Sequence, residues 1–138
     1  MRKLIILVAL VAASACNLDT TTLKPSAVGN LAGIYNLQTV DGAPLPFMFK
    51  PNDTTTVNID TDVMTLAENG AWGETINYRR TVGLAAPTNE STSLSGVWTI
   101  AGDQVNFRTS GGILYIGTAT TTMLSLADAS TTLYVFSR

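Results

Sequence analysis

The sequence of 138 residues contains no histidine and only one cysteine. Without histidine the chain has no side chain that ordinarily titrates near neutral pH, which excludes catalytic triads and other histidine-based acid–base chemistry. A single cysteine excludes an intramolecular disulfide, a zinc finger and an iron–sulfur cluster. We therefore expect no enzymatic activity, no cofactor and no metal site.

Charge is also scarce, since only 13% of the residues are Asp, Glu, Lys or Arg, about half of the usual ~25% in globular domains. With eight basic side chains and a net charge of −2, the chain lacks the basic surface that nucleic acid would require. Hydrophobic residues make up 46% of the sequence, which is enough to build a core.

The amino terminus has the pattern of a secretory signal. Arg2 and Lys3 precede an apolar run, Leu4 to Ala13, and small residues follow it. The run is too short for the ~20 apolar residues that span a bilayer. The sequence therefore predicts export and removal of residues 1–15.

The segment Ala13-Ser14-Ala15-Cys16 resembles the lipobox of bacterial lipoproteins, where small residues precede a cysteine that is acylated and becomes the first residue. The resemblance implies that Cys16 carries a lipid anchor in the membrane, although the family usually has Leu where Ala13 stands. Ordinary signal cleavage near the same point is the alternative. Asn17 after the cysteine implies the outer membrane or the cell surface. Residues 16–32 are predicted to form a lipidated, flexible tether.

Residues 33–138 show short alternating apolar runs between Gly, Asn, Asp and Pro, which predicts an all-β domain. The candidate strands are Gly33–Val40, Thr54–Ile59, Val63–Ala67, Ala71–Val82, Leu94–Ala101, Gln104–Thr109, Ile113–Thr118, Thr122–Leu126 and Thr131–Phe136. The second and third are interpreted as separate strands or as one bent strand, giving eight or nine in all.

Turn residues set the expected register of these strands. A two-residue turn at Gly102-Asp103 places Trp98 opposite Phe107 on an apolar face. Either of two loops within Ser110-Gly111-Gly112 then brings Leu114 and Ile116 to that face. An antiparallel up-and-down meander with one apolar face buries it most simply by closing into a barrel, with an open sandwich as the alternative.

The order of features resembles small bacterial lipocalin-like lipoproteins. The segments that carry the resemblance are Gly33-Ile34-Tyr35, Asp41-Gly42-Ala43-Pro44-Leu45-Pro46, Asn69-Gly70, Gly96-Val97-Trp98 with Gly102-Asp103, and Tyr134-Val135-Phe136-Ser137-Arg138. In lipocalins a Gly-x-Trp on the first strand packs beneath an arginine at the closed end of the barrel. The resemblance implies this structural role for Gly33, Tyr35 (in place of the Trp) and Arg138.

Two segments are candidate ligand-binding elements. Alternation along one strand puts Trp72, Glu74, Ile76, Tyr78 and Arg80 on one face. If that face points inward, Trp72, Glu74, Tyr78 and Arg80 would anchor an anionic or amphiphilic ligand. The alternatives are a solvated outer face and an internal Glu74–Arg80 pair that specifies register.

The second candidate element is Pro44-Leu45-Pro46-Phe47-Met48-Phe49, interpreted as a loop from its prolines. Its apolar side chains predict either a hydrophobic lid, with Phe47 and Phe49 contacting ligand, or a docking surface for another protein. The alternative is that one or two of them fill the core.

Carboxylates offer two further hypotheses. Asn58, Asp60 and Asp62 could present oxygens to Ca²⁺, but no loop of EF-hand spacing follows them, and solvation of a strand end is the preferred interpretation. Asp60 with Asp62 could in principle serve glycoside chemistry.

Three function hypotheses follow. The first is an outer-membrane lipoprotein whose barrel is a non-catalytic binding module for a small apolar or amphiphilic ligand. The second is a solid-core structural module that contacts another envelope protein, and an enzyme is a weaker third. Counting the bulky inward residues Trp72, Trp98 and Phe107 favours a filled barrel.

Overall fold

Ten antiparallel strands make up most of residues 31–138, the part of the chain that the computed structural model describes. They are β1 (Gly33–Val40), β2 (Ala43–Pro44), β3 (Phe47–Asn52), β4 (Thr55–Leu66), β5 (Ala71–Val82), β6 (Thr88–Ala101), β7 (Gln104–Thr109), β8 (Gly112–Ala119), β9 (Met123–Ala127) and β10 (Leu133–Ser137). The predicted signal, Cys16 and residues 16–30 of the predicted tether lie outside the described residues. Within residues 31–138, no helix is long and apolar enough to cross a membrane.

Eight of these strands close into a barrel. Neighbours from β4 to β10 pair in sequence order, and β1 completes the ring by pairing with both β10 and β4. The all-β prediction and the closed barrel are confirmed, and the open sandwich does not form. The short strands β2 and β3 lie outside the ring, where they extend the sheet from β1 and β4 respectively.

A β-bulge at Asp60 explains the bent strand expected from the sequence. The two predicted segments form the single strand β4, whose register with β5 shifts between Ile59 and Thr61. Because a bulge inserts one extra residue, the inward positions change from odd numbers to even numbers. Ile59 therefore points inward before the bulge, and Met64 does so after it.

The predicted register is right for one hairpin and wrong for the next. Trp98 pairs with Phe107 as expected from the turn at Gly102-Asp103, and both are buried. Beyond that, Tyr115 pairs with Phe107, because β8 carries an extra residue at Leu114. The expectation that Ile116 shares the apolar face of Phe107 is wrong, because Ile116 pairs with Asn106 and is 42% exposed.

The segment Pro44–Phe49 is not the loop that its prolines predicted. It forms β2 and the start of β3, and Phe47 and Phe49 pair with Ile59 and Val57 of β4. Proline is tolerated on such strands because one side of an edge strand makes no ladder hydrogen bonds. As a result β3 flanks the first half of β4, whereas β1 flanks the second half.

One end of the barrel is densely packed with aromatic side chains. Trp72 meets the ring of Phe107 edge-on, with 5.5 Å between centroids. The two buried indoles satisfy their N–H groups by donating to main-chain oxygens, Trp72 to Arg108 and Trp98 to Ala67, each at 3.2 Å. Burial of these rings with their polar edges paired accounts for the solid end of the fold.

The three residues implied by the lipocalin resemblance meet at this packed end. The Arg138 guanidinium lies 4.9 Å from the centroid of the Tyr35 ring and donates to the Ala32 carbonyl at 2.6 Å. A Cβ at Gly33 (φ +153°) would lie 3.0 Å from that guanidinium. The Tyr35 hydroxyl donates to the carbonyl of Leu31, a buried residue that the sequence analysis had assigned to the tether. Such a cation–π contact contributes ~0.5–2 kcal/mol to the fold.

Candidate ligand-binding cavity

The other end of the barrel is hollow. A cavity of about 880 Å³ lies there, within the 300–1,000 Å³ typical of small-molecule sites. Its walls carry mainly apolar and aromatic side chains. The lining includes Phe47, Phe49, Val57, Ile59, Asp62, Ile76, Tyr78, Arg80, Val82, Tyr115 and Tyr134. The expectation of a filled barrel, based on counting bulky side chains, is therefore wrong for this half.

The cavity exists because bulky inward residues are concentrated in the packed half. Along β5, Trp72 and Glu74 are buried, whereas Ile76, Tyr78 and Arg80 beyond them line the cavity. The strand β3 supplies a further wall through Phe47 and Phe49. Side chains at the opposite end from Trp72, including Arg80 and Val82, are exposed, so the cavity opens to solvent there.

Four of the six predicted ligand-binding residues line this cavity. They are Phe47, Phe49, Tyr78 and Arg80. Trp72 shares the inward face but belongs to the packed end, where its indole is bound to the Arg108 carbonyl. Glu74 lies between the two halves, beneath the cavity floor.

At the rim of the cavity, the positive charge of Arg80 is neutralised by the carboxylate of Glu90. The Arg80 guanidinium lies 3.0 Å from a Glu90 carboxylate oxygen, which also accepts a 3.0 Å hydrogen bond from the Tyr78 hydroxyl. The sequence had offered Glu74 as the internal partner of Arg80, but the structure gives that place to Glu90. An anion binding at Arg80 would therefore compete with a carboxylate already in position.

Two buried carboxyl groups lie at the inner end of the cavity, Asp62 in its lining and Glu74 beneath it. Asp62 of β4 is 3% exposed and Glu74 of β5 is 2% exposed. The Tyr115 hydroxyl donates to the Glu74 carboxylate, 3.3 Å from each oxygen. Asp62 Oδ1 is buried and has no hydrogen-bond partner among the described residues. Since buried polar atoms are nearly always paired, this one requires an explanation.

Burial makes both acids hard to ionise. Desolvation, followed by the nearby charge of Glu74, raises the pKa of Asp62 to about 8. Desolvation also raises the pKa of Glu74 to about 7, although hydrogen bonds from Asp62 and Tyr115 oppose it. Two acids this close cannot both ionise cheaply, so the pair retains a proton near neutral pH.

Tyrosine rings continue from this acid pair along the cavity wall. The rings of Tyr115 and Tyr134 meet at 64° with 5.6 Å between centroids, and the Tyr134 hydroxyl donates to Asp128 at 3.2 Å. Burial and the neighbouring Asp128 raise the pKa of Tyr134 to about 12. Both phenols therefore remain neutral donors over the physiological pH range.

The oxygens proposed from the sequence as a calcium set do not come together. The bulge places Asp60 outside, where Arg79 binds it at 2.7 Å and lowers its pKa, while Asp62 points inward. The same separation rules out Asp60 and Asp62 as a pair flanking one substrate. Among residues 31–138, no group of three or more Cys, Asp or Glu side chains could hold a metal ion.

Simple alternation along the strands does not predict the inward positions of Asp62 and Tyr115, because β4 and β8 each contain a bulge. One extra residue in β4 and one in β8 turn these two side chains inward. The sequence does contain a signal of the bulge in β4, because the apolar residues Val57 and Ile59 occupy odd positions whereas Met64 and Leu66 occupy even positions. That change of parity within one strand indicates an inserted residue near Asp60.

Comparison with models of known protein families, with curated proteins and with solved structures found no match for this chain. Within residues 31–138, the cavity combines the size, the apolar walls and the few polar groups that small-molecule sites usually have.

Proposed function

We propose that this protein is a non-catalytic lipoprotein of the cell envelope whose barrel binds a small apolar or amphiphilic molecule. The observation that carries the proposal is the cavity of about 880 Å³, open at one end and lined mainly by apolar side chains. Transfer of apolar ligand surface from water into such walls contributes roughly 25 cal/mol per Å², so ligand binding has a ready driving force.

The cavity also favours this proposal over the main alternative, a structural module with a solid core. A solid module that acts only through its outer surface would gain stability by filling its interior, because close packing is the general rule. Here half of the barrel is packed around Trp72 and Phe107, while the other half leaves an 880 Å³ space. An unfilled volume of this size favours a ligand over a purely structural role.

The envelope part of the proposal depends on the amino-terminal sequence. Arg2, Lys3 and the apolar run support export, and Ala13-Ser14-Ala15-Cys16 supports acylation of Cys16. An acylated cysteine with several chains provides stable anchoring, which a single chain does not. Asn17 supports the outer membrane as its destination.

A non-catalytic role is supported by the sequence and by the placement of the acids. The chain has no histidine to serve as a general base, and Asp60 and Asp62 point to opposite sides of β4. The remaining pair, Asp62 with Glu74, is almost fully buried.

Phe47→Ala is expected to weaken binding of the neutral apolar probe N-phenyl-1-naphthylamine by about tenfold. The substitution removes a ring from the cavity wall, and ~1.4 kcal/mol of lost contact corresponds to a factor of ten. The measurement is a fluorescence titration with the full chain carrying Cys16→Ser, so that no attached acyl chain competes for the cavity. Met48→Ala is the matched control, because Met48 is adjacent on β3 but 58% exposed.

Two results would contradict the binding role. One is the absence of a probe signal with a protein whose thermal unfolding is cooperative. The other is an equal loss of affinity in Met48→Ala and Phe47→Ala, which would place the probe on the outer surface of β3.

Acylation is expected to abolish the free thiol of Cys16 and to add the mass of several acyl chains. Intact-mass spectrometry of the protein extracted from bacterial envelopes measures both, and a chain starting at Cys16 is expected. Cys16→Ser is expected to carry no added lipid mass. A mature chain of unmodified mass, with Cys16 either reactive or removed, would show ordinary signal cleavage in place of lipidation.

A further inference from the structure

An unpartnered acceptor faces the innermost part of the cavity. Asp62 lines the floor, is 3% exposed, and presents Oδ1 without a partner among the described residues. Its neighbour Glu74 accepts hydrogen bonds from the Tyr115 hydroxyl and from Asp62, which leaves Asp62 Oδ1 as the unpartnered atom of the pair. A buried acceptor that no protein donor satisfies is costly, and it is satisfied when a ligand supplies a donor.

We infer that the floor of the cavity binds the cationic head of an amphiphilic amine, an apolar molecule ending in a protonated nitrogen whose N–H groups reach Asp62. The inference rests on the proposed binding function and names the class of ligand. The apolar tail would occupy the space between the floor and the mouth, along Ile76, Phe47 and Phe49.

The charges around the cavity favour an amine over a fatty acid. A carboxylate head at the floor would meet Asp62 and Glu74, and once this pair has lost a proton its negative charge repels another carboxylate strongly at close range. A carboxylate at the rim would have to displace Glu90 from Arg80. An ammonium group instead neutralises the acid pair, and nitrogen cations also bind favourably against tyrosine rings such as that of Tyr115.

The geometry also makes amine binding depend on pH. An ammonium group binds the ionised pair, so its binding must release the protons that burial retains on Asp62 and Glu74. The other titratable groups facing the pair are the phenols Tyr115 of β8 and Tyr134 of β10, and further along the cavity Asp41, Tyr78 and Arg80. Between pH 5.5 and 8 we therefore expect affinity for an amine to rise, while affinity for an alcohol of equal length stays constant.

The test is displacement of N-phenyl-1-naphthylamine from the full chain carrying Cys16→Ser by decylamine, decanol and decanoate. At pH 8, decylamine is expected to displace the probe at about tenfold lower concentration than decanol, since a hydrogen bond to a charged group contributes more than one between neutral groups. This advantage is expected to shrink at pH 5.5. It is also expected to vanish in Asp62→Asn and in Glu74→Gln, with decanol unaffected. Asp60→Asn, an acid on the outer side of the same strand, is expected to retain it.

The outcomes distinguish the two proposals. If the probe and decanol bind but decylamine has no advantage, or if the advantage persists in both Asp62→Asn and Glu74→Gln, the amine assignment is wrong and the binding function stands. If decanoate displaces the probe best, the polar head binds at Arg80 and the assignment is likewise overturned. If neither the probe nor any of the three ligands binds, both proposals fail together.

Discussion

Gly96→Ala is expected to lower the free energy of unfolding by about 3 kcal/mol, at the upper end of the usual cost of overpacking. A Cβ at this position would overlap the Arg108 carbonyl oxygen and lie 3.0 Å from the Trp72 indole nitrogen. These are the two groups joined by the hydrogen bond that crosses above Gly96 from β5 to β7. Because the nearest atoms belong to main chain, no side-chain rotation can relieve the overlap.

The measurement is urea unfolding followed by fluorescence of the buried Trp72 and Trp98. Gly117→Ala is expected to behave like Gly96→Ala, since its Cβ would overlap the Ser125 carbonyl. Gly73→Ala is the matched control, because its Cβ would meet only the Leu94 carbonyl, at an ordinary 3.9 Å. Removal of glycine flexibility there is expected to leave stability unchanged or to raise it by ~0.5–1 kcal/mol.

The contrast between these variants is what decides the prediction. If Gly96→Ala and Gly73→Ala differ by less than about 1 kcal/mol, the close approach of β7 to β6 at Gly96 is not a feature of the folded protein. The Trp72–Arg108 hydrogen bond would then also be in doubt.

Thermal stability of the ligand-free protein is expected to fall between pH 5 and pH 9. The reason is that Asp62 and Glu74 have ordinary pKa values of 3.8 and 4.5, which burial raises to about 8 and 7 in the folded barrel. Over this range the folded state retains protons that the unfolded chain has released, so each rise in pH favours unfolding. Because each unit of pKa shift corresponds to about 1.4 kcal/mol, we expect the coupled pair to lower the free energy of unfolding by several kcal/mol over this range.

Stability here falls as the pH rises, whereas the stability that a salt-bridged carboxylate contributes is lost as the pH falls. Asp60 provides the example, since Arg79 lowers its pKa and its contribution is therefore lost only in acid, below its ordinary value of 3.8. The sequence contains no histidine to add a slope between pH 5 and 9. Tyr115 and Tyr134 have raised pKa values and remain protonated throughout this range.

Calorimetry or circular dichroism melting at pH 5, 7 and 9 measures this slope. Asp62→Asn is expected to flatten it and to be more stable than the wild type at pH 9, while Asp62→Asn with Glu74→Gln is expected to remove most of it. Asp60→Asn is expected to keep the wild-type slope. A melting temperature that stays constant or rises from pH 5 to 9 would mean that the two acids are hydrated in solution.

Much of the architecture follows from local sequence alone. Alternation of apolar residues and the turn at Gly102-Asp103 predict an antiparallel meander, because strand period and turn geometry are local properties. They also place Trp98 opposite Phe107 correctly. The same alternation puts Tyr78 and Arg80 on the inward face, where both line the cavity.

The binding site itself was decided by tertiary structure. Two bulges, at Asp60 and Leu114, invert the facing of every residue that follows them in the strand, and so bring Asp62 and Tyr115 to the interior beside Glu74. Neither bulge contains a glycine, and the sequence marks only the first of them, through the change of apolar residues from odd to even positions along β4. They arise because apolar residues on both sides of each bulge must face the same barrel interior, and only closure of the ring imposes that requirement.

The part of the cavity wall that β3 forms is likewise a consequence of tertiary structure. By itself the segment Pro44–Phe49 has the composition of a loop, and its prolines cannot serve a central strand. It becomes a strand because β1 leaves the first half of β4 unpaired at Val57 and Ile59, and the chain returning from β1 pairs with that edge. The sequence thus determined the strands and most of their inward faces, while barrel closure determined which edges needed a partner, where the cavity lies and which acids it buries.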